Sequence, residues 1–169
     1  MIHDTEMSQW IPPTAAHLVT GTWTKTAGQV ANTIVAHKAA ADETAVVTIP
    51  ILLPSNSGSY KGVLLTSIDV YWEVVTAALD AIDALVYKVV APANGAAIAA
   101  PTSVAFSYDA GHDTAAERLT LEQHTLTLTL TTPAWIDDGD VYQVELTVDA
   151  ALTSIFELIG ARANFTLRL

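Results

Sequence analysis

His124-Thr125-Leu126-Thr127-Leu128-Thr129-Leu130-Thr131 alternates large side chains with threonine, position by position. In an extended strand successive side chains point to opposite faces, so the three leucines and His124 share one face and the threonines the other. A helix would scatter the same leucines around its circumference. The stretch predicts a strand with its leucine face on a core, ended by Pro133.

The same period of two continues outward. Downstream, Asp137-Asp138-Gly139-Asp140 has turn composition, after which Tyr142, Val144, Leu146 and Val148 alternate with Val141, Gln143, Glu145 and Thr147. Residues 164–169 alternate once more. Upstream, 63–75 predicts a long strand with Leu64, Ile68, Val70, Trp72 and Val74 on one parity and Ser67, Asp69, Tyr71 and Glu73 on the other. Residues 44–52 are rich in β-branched types and run into Pro54 and the turn composition of 55–59. Thr20, Thr22, Thr24 and Thr26 alternate with Gly21, Trp23, Lys25 and Ala27, predicting one strand over 20–27, and 30–37 reads as another diluted by alanine. A turn over 77–80 returns the chain along 84–90, although 76–85 suits a helical face equally well. Residues 91–101 read as a loop, and Asp113 is placed to cap a short helical turn through Ala115, Ala116 and Glu117.

About eight strands separated by turns, with no interleaved helices, predict an all-β fold: an antiparallel, jelly-roll-like β-sandwich with at most short helical turns. Residues 1–19 are expected to form an extended N-terminal arm, because Pro12-Pro13 forces extended backbone, and 20–169 a single sandwich domain. The arm lies across its own domain or reaches a neighbouring subunit with Trp10 as an apolar anchor.

Charge and composition remove several function classes. Seven Lys+Arg against 18 Asp+Glu give a net charge of −11, too few cations for a nucleic-acid interface or for attraction to anionic membranes. The chain has no cysteine, so disulfides, thiolate metal sites and cysteine nucleophiles are excluded. The first residues lack the basic and apolar regions of a signal peptide, and no run approaches the ~20 apolar residues of a membrane span. A soluble protein is expected.

Motifs for chemistry are sparse. Asp137, Asp138 and Asp140 are the best metal candidates, since clustered carboxylates beside a glycine supply some of the oxygens calcium needs. The remaining ligands of an EF-hand loop are missing, and a plain turn explains the same residues. His3, His17, His37, His112 and His124 show no paired zinc spacing. Asn56-Ser57-Gly58-Ser59-Tyr60 lacks the Gly-x-Ser-x-Gly elbow, and there is neither a phosphate-binding loop nor a dinucleotide fingerprint. No catalytic residue, cofactor or enzymatic activity is expected. Trp10 and Trp135 are the candidate contacts to a partner or ligand, Trp135 as an exposed ring beside the acidic turn.

Three stretches carry a resemblance: residues 53–62 running into Ser67-Ile68-Asp69-Val70-Tyr71-Trp72; His124 through the Thr/Leu alternation to Pro133-Ala134-Trp135; and Gly160-Ala161-Arg162-Ala163-Asn164-Phe165-Thr166-Leu167. Together they resemble β-rich, jelly-roll-type structural proteins of phage and environmental viruses. The resemblance implies a non-enzymatic structural virion protein, such as a capsid decoration or head-fibre subunit, homotrimeric and bound to other virion proteins. The alternative is a carbohydrate- or receptor-binding β-sandwich, which requires an exposed aromatic platform.

Overall fold

The Leu/Thr repeat opens a strand that outruns it. The computed structural model describes residues 4–28, 33–54 and 62–168. Among these the strands are β1 (Asp4–Ile11), β2 (His17–Thr20), β3 (Trp23–Ala27), β4 (Ile34–Lys38), β5 (Glu43–Ile51), β6 (Gly62–Val74), β7 (Ala81–Val90), β8 (Thr102–Ser103), β9 (Phe106–Tyr108), β10 (Gln123–Trp135), β11 (Asp140–Ala150) and β12 (Phe156–Arg168). Two 3-10 turns, Pro13–Ala15 and Ala116–Arg118, are the helical segments.

The strands form two antiparallel sheets. The first runs β3-β4-β12-β6-β10-β9, and the second β2-β5-β11-β7-β8. One edge of β12 is shared, with Phe156–Leu158 against β4 and residues 161–168 against β1. Within the sheets, β4-β12-β6-β10 faces β5-β11-β7-β8, the strand order of a jelly roll. Leu126, Leu128 and Leu130 are buried as their parity requires, in one core with Val70, Val86, Val144, Leu146 and Phe156. Trp72 is fully buried, stacked on His124 with ring centroids 5.0 Å apart and on Phe156 at 6.2 Å. Among the described residues no helix is long and apolar enough to cross a membrane.

The structure departs from the sequence reading where the chain bends. The run 20–27 is two strands in different sheets, because Gly21 turns the corner at φ 92°; a β-carbon there would lie 2.4 Å from that of Ala45. In β6 the buried parity changes from Val63 and Leu65 to Ile68, Val70, Trp72 and Val74. The register against both neighbouring strands slips between Leu65 and Ser67, a bulge that turns Leu64 to the outer face. β10 does not stop at Pro133. It continues to Trp135 across a register shift between Thr129 and Ala134, where no ladder bond needs the missing proline N–H.

β7 starts at Ala81, which removes the helical alternative, and β12 starts at Phe156, well before residue 164. The register shift between Leu158 and Gly160 reverses the alternation and hides the first part of β12 from a pattern search. Asp113 does not cap the 3-10 turn: no side chain does, and Glu117 instead accepts the Thr114 N–H at 3.0 Å. Residues 4–11, expected within the arm, pair with β12 along their length. The turn expected at 55–59 and part of the 30–37 strand lie outside the described residues.

Leu128→Ala is expected to cost about 3 kcal/mol, as a buried leucine truncated in a closed core does. Thr129→Ala, on the opposite face, should stay within about 0.5 kcal/mol. Urea denaturation of the two variants checks the assignment of faces.

Candidate functional site

The outer face of the first sheet gathers most of the polar chemistry, because directly paired residues in an antiparallel sheet project to the same side. Thr24, His37, Glu157, Glu73 and Gln123 are successive partners across β3, β4, β12, β6 and β10. Further along, Trp10, Arg162, Asp69 and Thr127 pair across β1, β12, β6 and β10. Ser8, Asn164, Ser67 and Thr129 follow.

Asp69 anchors this face. It is 4% exposed, and its carboxylate accepts hydrogen bonds from Arg162 Nη2 at 2.7 Å and Nε at 3.0 Å, Thr127 Oγ1 at 2.7 Å and Asn164 Nδ2 at 3.0 Å. Burial pushes its pKa up, but the bonds from Asn164, Thr127 and Arg162 outweigh burial and hold it below the ordinary value. Arg162 also lies 5.8 Å from the centre of the Tyr71 ring.

Tyr71 in turn meets Trp10, with ring centroids 5.3 Å apart and planes tilted by 49°. Trp10 is 48% exposed. Its ring can lie on the sheet because position 160 is glycine: φ is 147°, and a β-carbon there would come within 2.6 Å of the indole and 2.7 Å of the Ile11 carbonyl oxygen. The aromatic pair is thus set by a glycine at the bulge of β12.

Beside Tyr71 opens a cavity of about 310 Å³, with Glu73, Gln123, Thr125, Glu157, Val35 and Ile159 in its lining. Glu157 is 4% exposed, and its Oε1 lies 3.1 Å from His37 Nδ1. Glu73 and Glu157 are direct cross-strand partners, an arrangement in which like charges repel. The lining thus combines an aromatic ring, an apolar floor, carboxylate acceptors and an amide that both donates and accepts.

Of the residues expected from sequence, Trp10 belongs to this site. Trp135 lies on the same face but level with Glu6, about 13 Å from Trp10 along the strands and three strands across the sheet. The Arg168 guanidinium covers its ring at 4.9 Å and also binds Asp4 at 3.0 Å. Asp137, Asp138 and Asp140 form the β10–β11 turn around Gly139, at φ 84°. Asp140 accepts the Asp137 N–H and binds Lys88 Nζ at 2.6 Å. Among the described residues no three His, Asp or Glu side chains gather as a metal site.

His112 and His124, which sequence spacing leaves unrelated, meet beneath the sheet with Nε2 and Nδ1 3.3 Å apart. They link Asp109 at one end to the Thr120 carbonyl at the other. Tyr71, Asp69 and Glu73 were readable as one face of β6. Arg162, Asn164 and Glu157 were not recognised as their partners, because the bulge in β12 conceals the pairing.

No protein family and no curated protein matches the chain in sequence. In structure it is similar to a family two carbohydrate esterase from Cellvibrio japonicus, with a TM-score of 0.45 and 9% identity over 99% of this chain and 36% of that one. It is also similar to an arabinose-bound α-L-arabinofuranosidase, with a TM-score of 0.39 and 14% identity over 92% of this chain and 24% of the other. The enzymatically active domain of bacteriophage CBA120 tailspike protein 4 gives a TM-score of 0.36 and 9% identity over 94% of this chain and 19% of that one. The chain therefore spans well under half the length of each of these proteins.

Asp69→Asn is expected to lower stability by about 2 kcal/mol at pH 7, a moderate figure because Arg162 is partly solvated and recovers water bonds. A lowered folded-state pKa means stability present above the ordinary carboxylate value and lost as pH falls through the folded value. The gap between wild type and Asp69→Asn should therefore close below about pH 4, read by denaturant titration across pH.

Proposed function

We propose that the outer face of the seven-stranded sheet is a saccharide-binding surface and that the chain acts by binding rather than turnover. The observation that carries this reading is the half-exposed Trp10 ring, set by Gly160 against Tyr71, which itself lines the polar cavity. A pyranose presents an apolar C–H face and a rim of hydroxyls. Trp10 and Tyr71 offer the matching ring surface, while Glu73, Glu157 and Gln123 offer acceptors and donors for the rim. Tyr71, Glu73, Gln123 and Glu157 sit on paired strands, which lowers the ordering cost that opposes binding.

A glycan array followed by calorimetry tests this. Trp10→Ala and Tyr71→Ala should each weaken the best ligand about 30-fold, the equivalent of about 2 kcal/mol for truncating an aromatic anchor. Trp135→Ala should stay within about twofold. Absence of any oligosaccharide ligand, or a Trp10→Ala variant that binds normally, contradicts the proposal.

A second reading, a structural virion subunit that assembles with its own copies, is favoured by the outer face of the other sheet. Leu85 and Val141 are exposed there, beside Val46, Pro50, Tyr87 and Val89, with Glu145 among them and Asp83 and Asp149 toward one end. In a chain of net charge −11, the Val46, Pro50, Tyr87, Val89 and Val141 end of this face is where a second copy approaches with least repulsion. Light scattering under dilution should then show a persistent trimer that Leu85→Asp dissociates; a monomer at micromolar concentration contradicts this reading.

A further inference from the structure

We propose that the second edge of β1 pairs antiparallel with the same edge of a second copy across a two-fold axis, joining two seven-stranded sheets into one. This contact is independent of saccharide binding and lies apart from the outer face of the other sheet. Among the described residues β1 pairs with β12 and with no other strand, and its residues from Asp4 to Trp10 are exposed. The ladder with β12 runs through eight successive pairs without a slip. Its backbone donors and acceptors on the far side therefore form a regular row onto which another strand can add.

The strands that end the two sheets are protected in the ways sheet proteins ordinarily use. β8 and β9 have two and three residues, β2 slips in register between Leu18 and Thr20, and β3 carries Lys25 at its centre. β1 has none of these devices: Thr5-Glu6-Met7-Ser8-Gln9 contains no proline, lysine or bulge.

The sequence of β1 argues for a second copy as the occupant. A two-fold axis perpendicular to the sheet sets residues of one parity opposite the same parity. Centred on Glu6, such a pairing would place that carboxylate against its own counterpart; centred on Ser8, it would require Ile11, which is buried. Centred on Met7, it places Glu6 opposite Ser8, Thr5 opposite Gln9 and Asp4 opposite Trp10, with no like charges facing. Asp4 is also bound by Arg168 at 3.0 Å, so in a chain of net charge −11 this edge adds little repulsion. On the inner side of β1, Met7 is 44% exposed at a cavity of about 240 Å³ lined also by Pro54, Phe165 and Leu167. Met7 of the second copy covers it. The outer faces, each with its Trp10 ring, then lie on one side of the continuous sheet.

The chain has no cysteine, so single introduced cysteines report the register. Met7→Cys should form a disulfide-linked dimer on mild oxidation, since directly opposite residues lie about 4.5–5.5 Å apart at Cα, within disulfide reach. Glu6→Cys should cross-link with Ser8→Cys when the two are mixed, and several-fold less with itself. By light scattering, wild type should be a dimer at roughly 100 µM that survives Leu85→Asp, while Met7→Lys raises the dissociation constant at least about 30-fold. Gln9→Lys, the next inward position of the edge, repeats the test should Met7→Lys fail to fold. A monomer at that concentration overturns the proposal, as does a dimer that both lysine variants leave intact. A disulfide formed by Glu6→Cys in preference to Met7→Cys overturns it too. A trimer dissociated by Leu85→Asp and untouched by Met7→Lys assigns assembly to the other sheet and equally overturns it.

Discussion

The pairing of β12 with β6 is the constraint on which the rest depends. These strands lie side by side at the centre of the first sheet, and their inward residues, from Phe156 and Leu158 to Trp72 and Val70, form much of the core. A one-residue slip in such a pair would turn every inward side chain outward, so burial fixes the register. That register then dictates the outer face. Arg162 must stand opposite Asp69, and Glu157 opposite Glu73. The first pairing gives a hydrogen-bonded network around Asp69, and the second sets two carboxylates side by side at a cavity, with His37 against Glu157. The apolar core thus determines which polar side chains meet on the outer face.

Bulges refine this arrangement. The irregularity at Gly160 brings Trp10 down onto the sheet, and the slip at Thr66 turns Leu64 outward. Such bulges re-aim side chains at the cost of local ladder bonds. In this chain one of them supports the aromatic pair. The N-terminal strand β1 supplies the upper ring, so a segment whose composition suggests an extended tether contributes to the outer face of the sheet. The second sheet is organised differently, with threonine, valine and leucine outside and few charges.

Sequence reading recovered what depends on unbroken alternation. The leucines of β10, the Tyr142 to Val148 face of β11 and the Ile68 to Val74 half of β6 all follow simple parity, and all are buried. It missed features at which parity breaks: the corner at Gly21, the extension of β10 past Pro133 and the start of β12 at Phe156. It also singled out tryptophans as individuals. Trp10 lies at the candidate site, whereas Trp135, exposed as expected, stands apart from it with Arg168 over its ring, a neighbour on β12 that no local pattern announces. The carboxylates of the cavity were visible as residues but not as a set, because Glu73 and Glu157 are 84 positions apart in the chain (157 − 73) and meet only through strand pairing.

The most direct test of the central claim is amide and indole chemical-shift mapping by NMR while the protein is titrated with its best oligosaccharide ligand. Perturbations should cluster at the Trp10 indole N–H, Tyr71, Gly160 and the side-chain amide of Gln123, with the outer face of the second sheet unchanged. Perturbations centred on Leu85 and Val141 instead, or none at millimolar ligand, would contradict the assignment of this face.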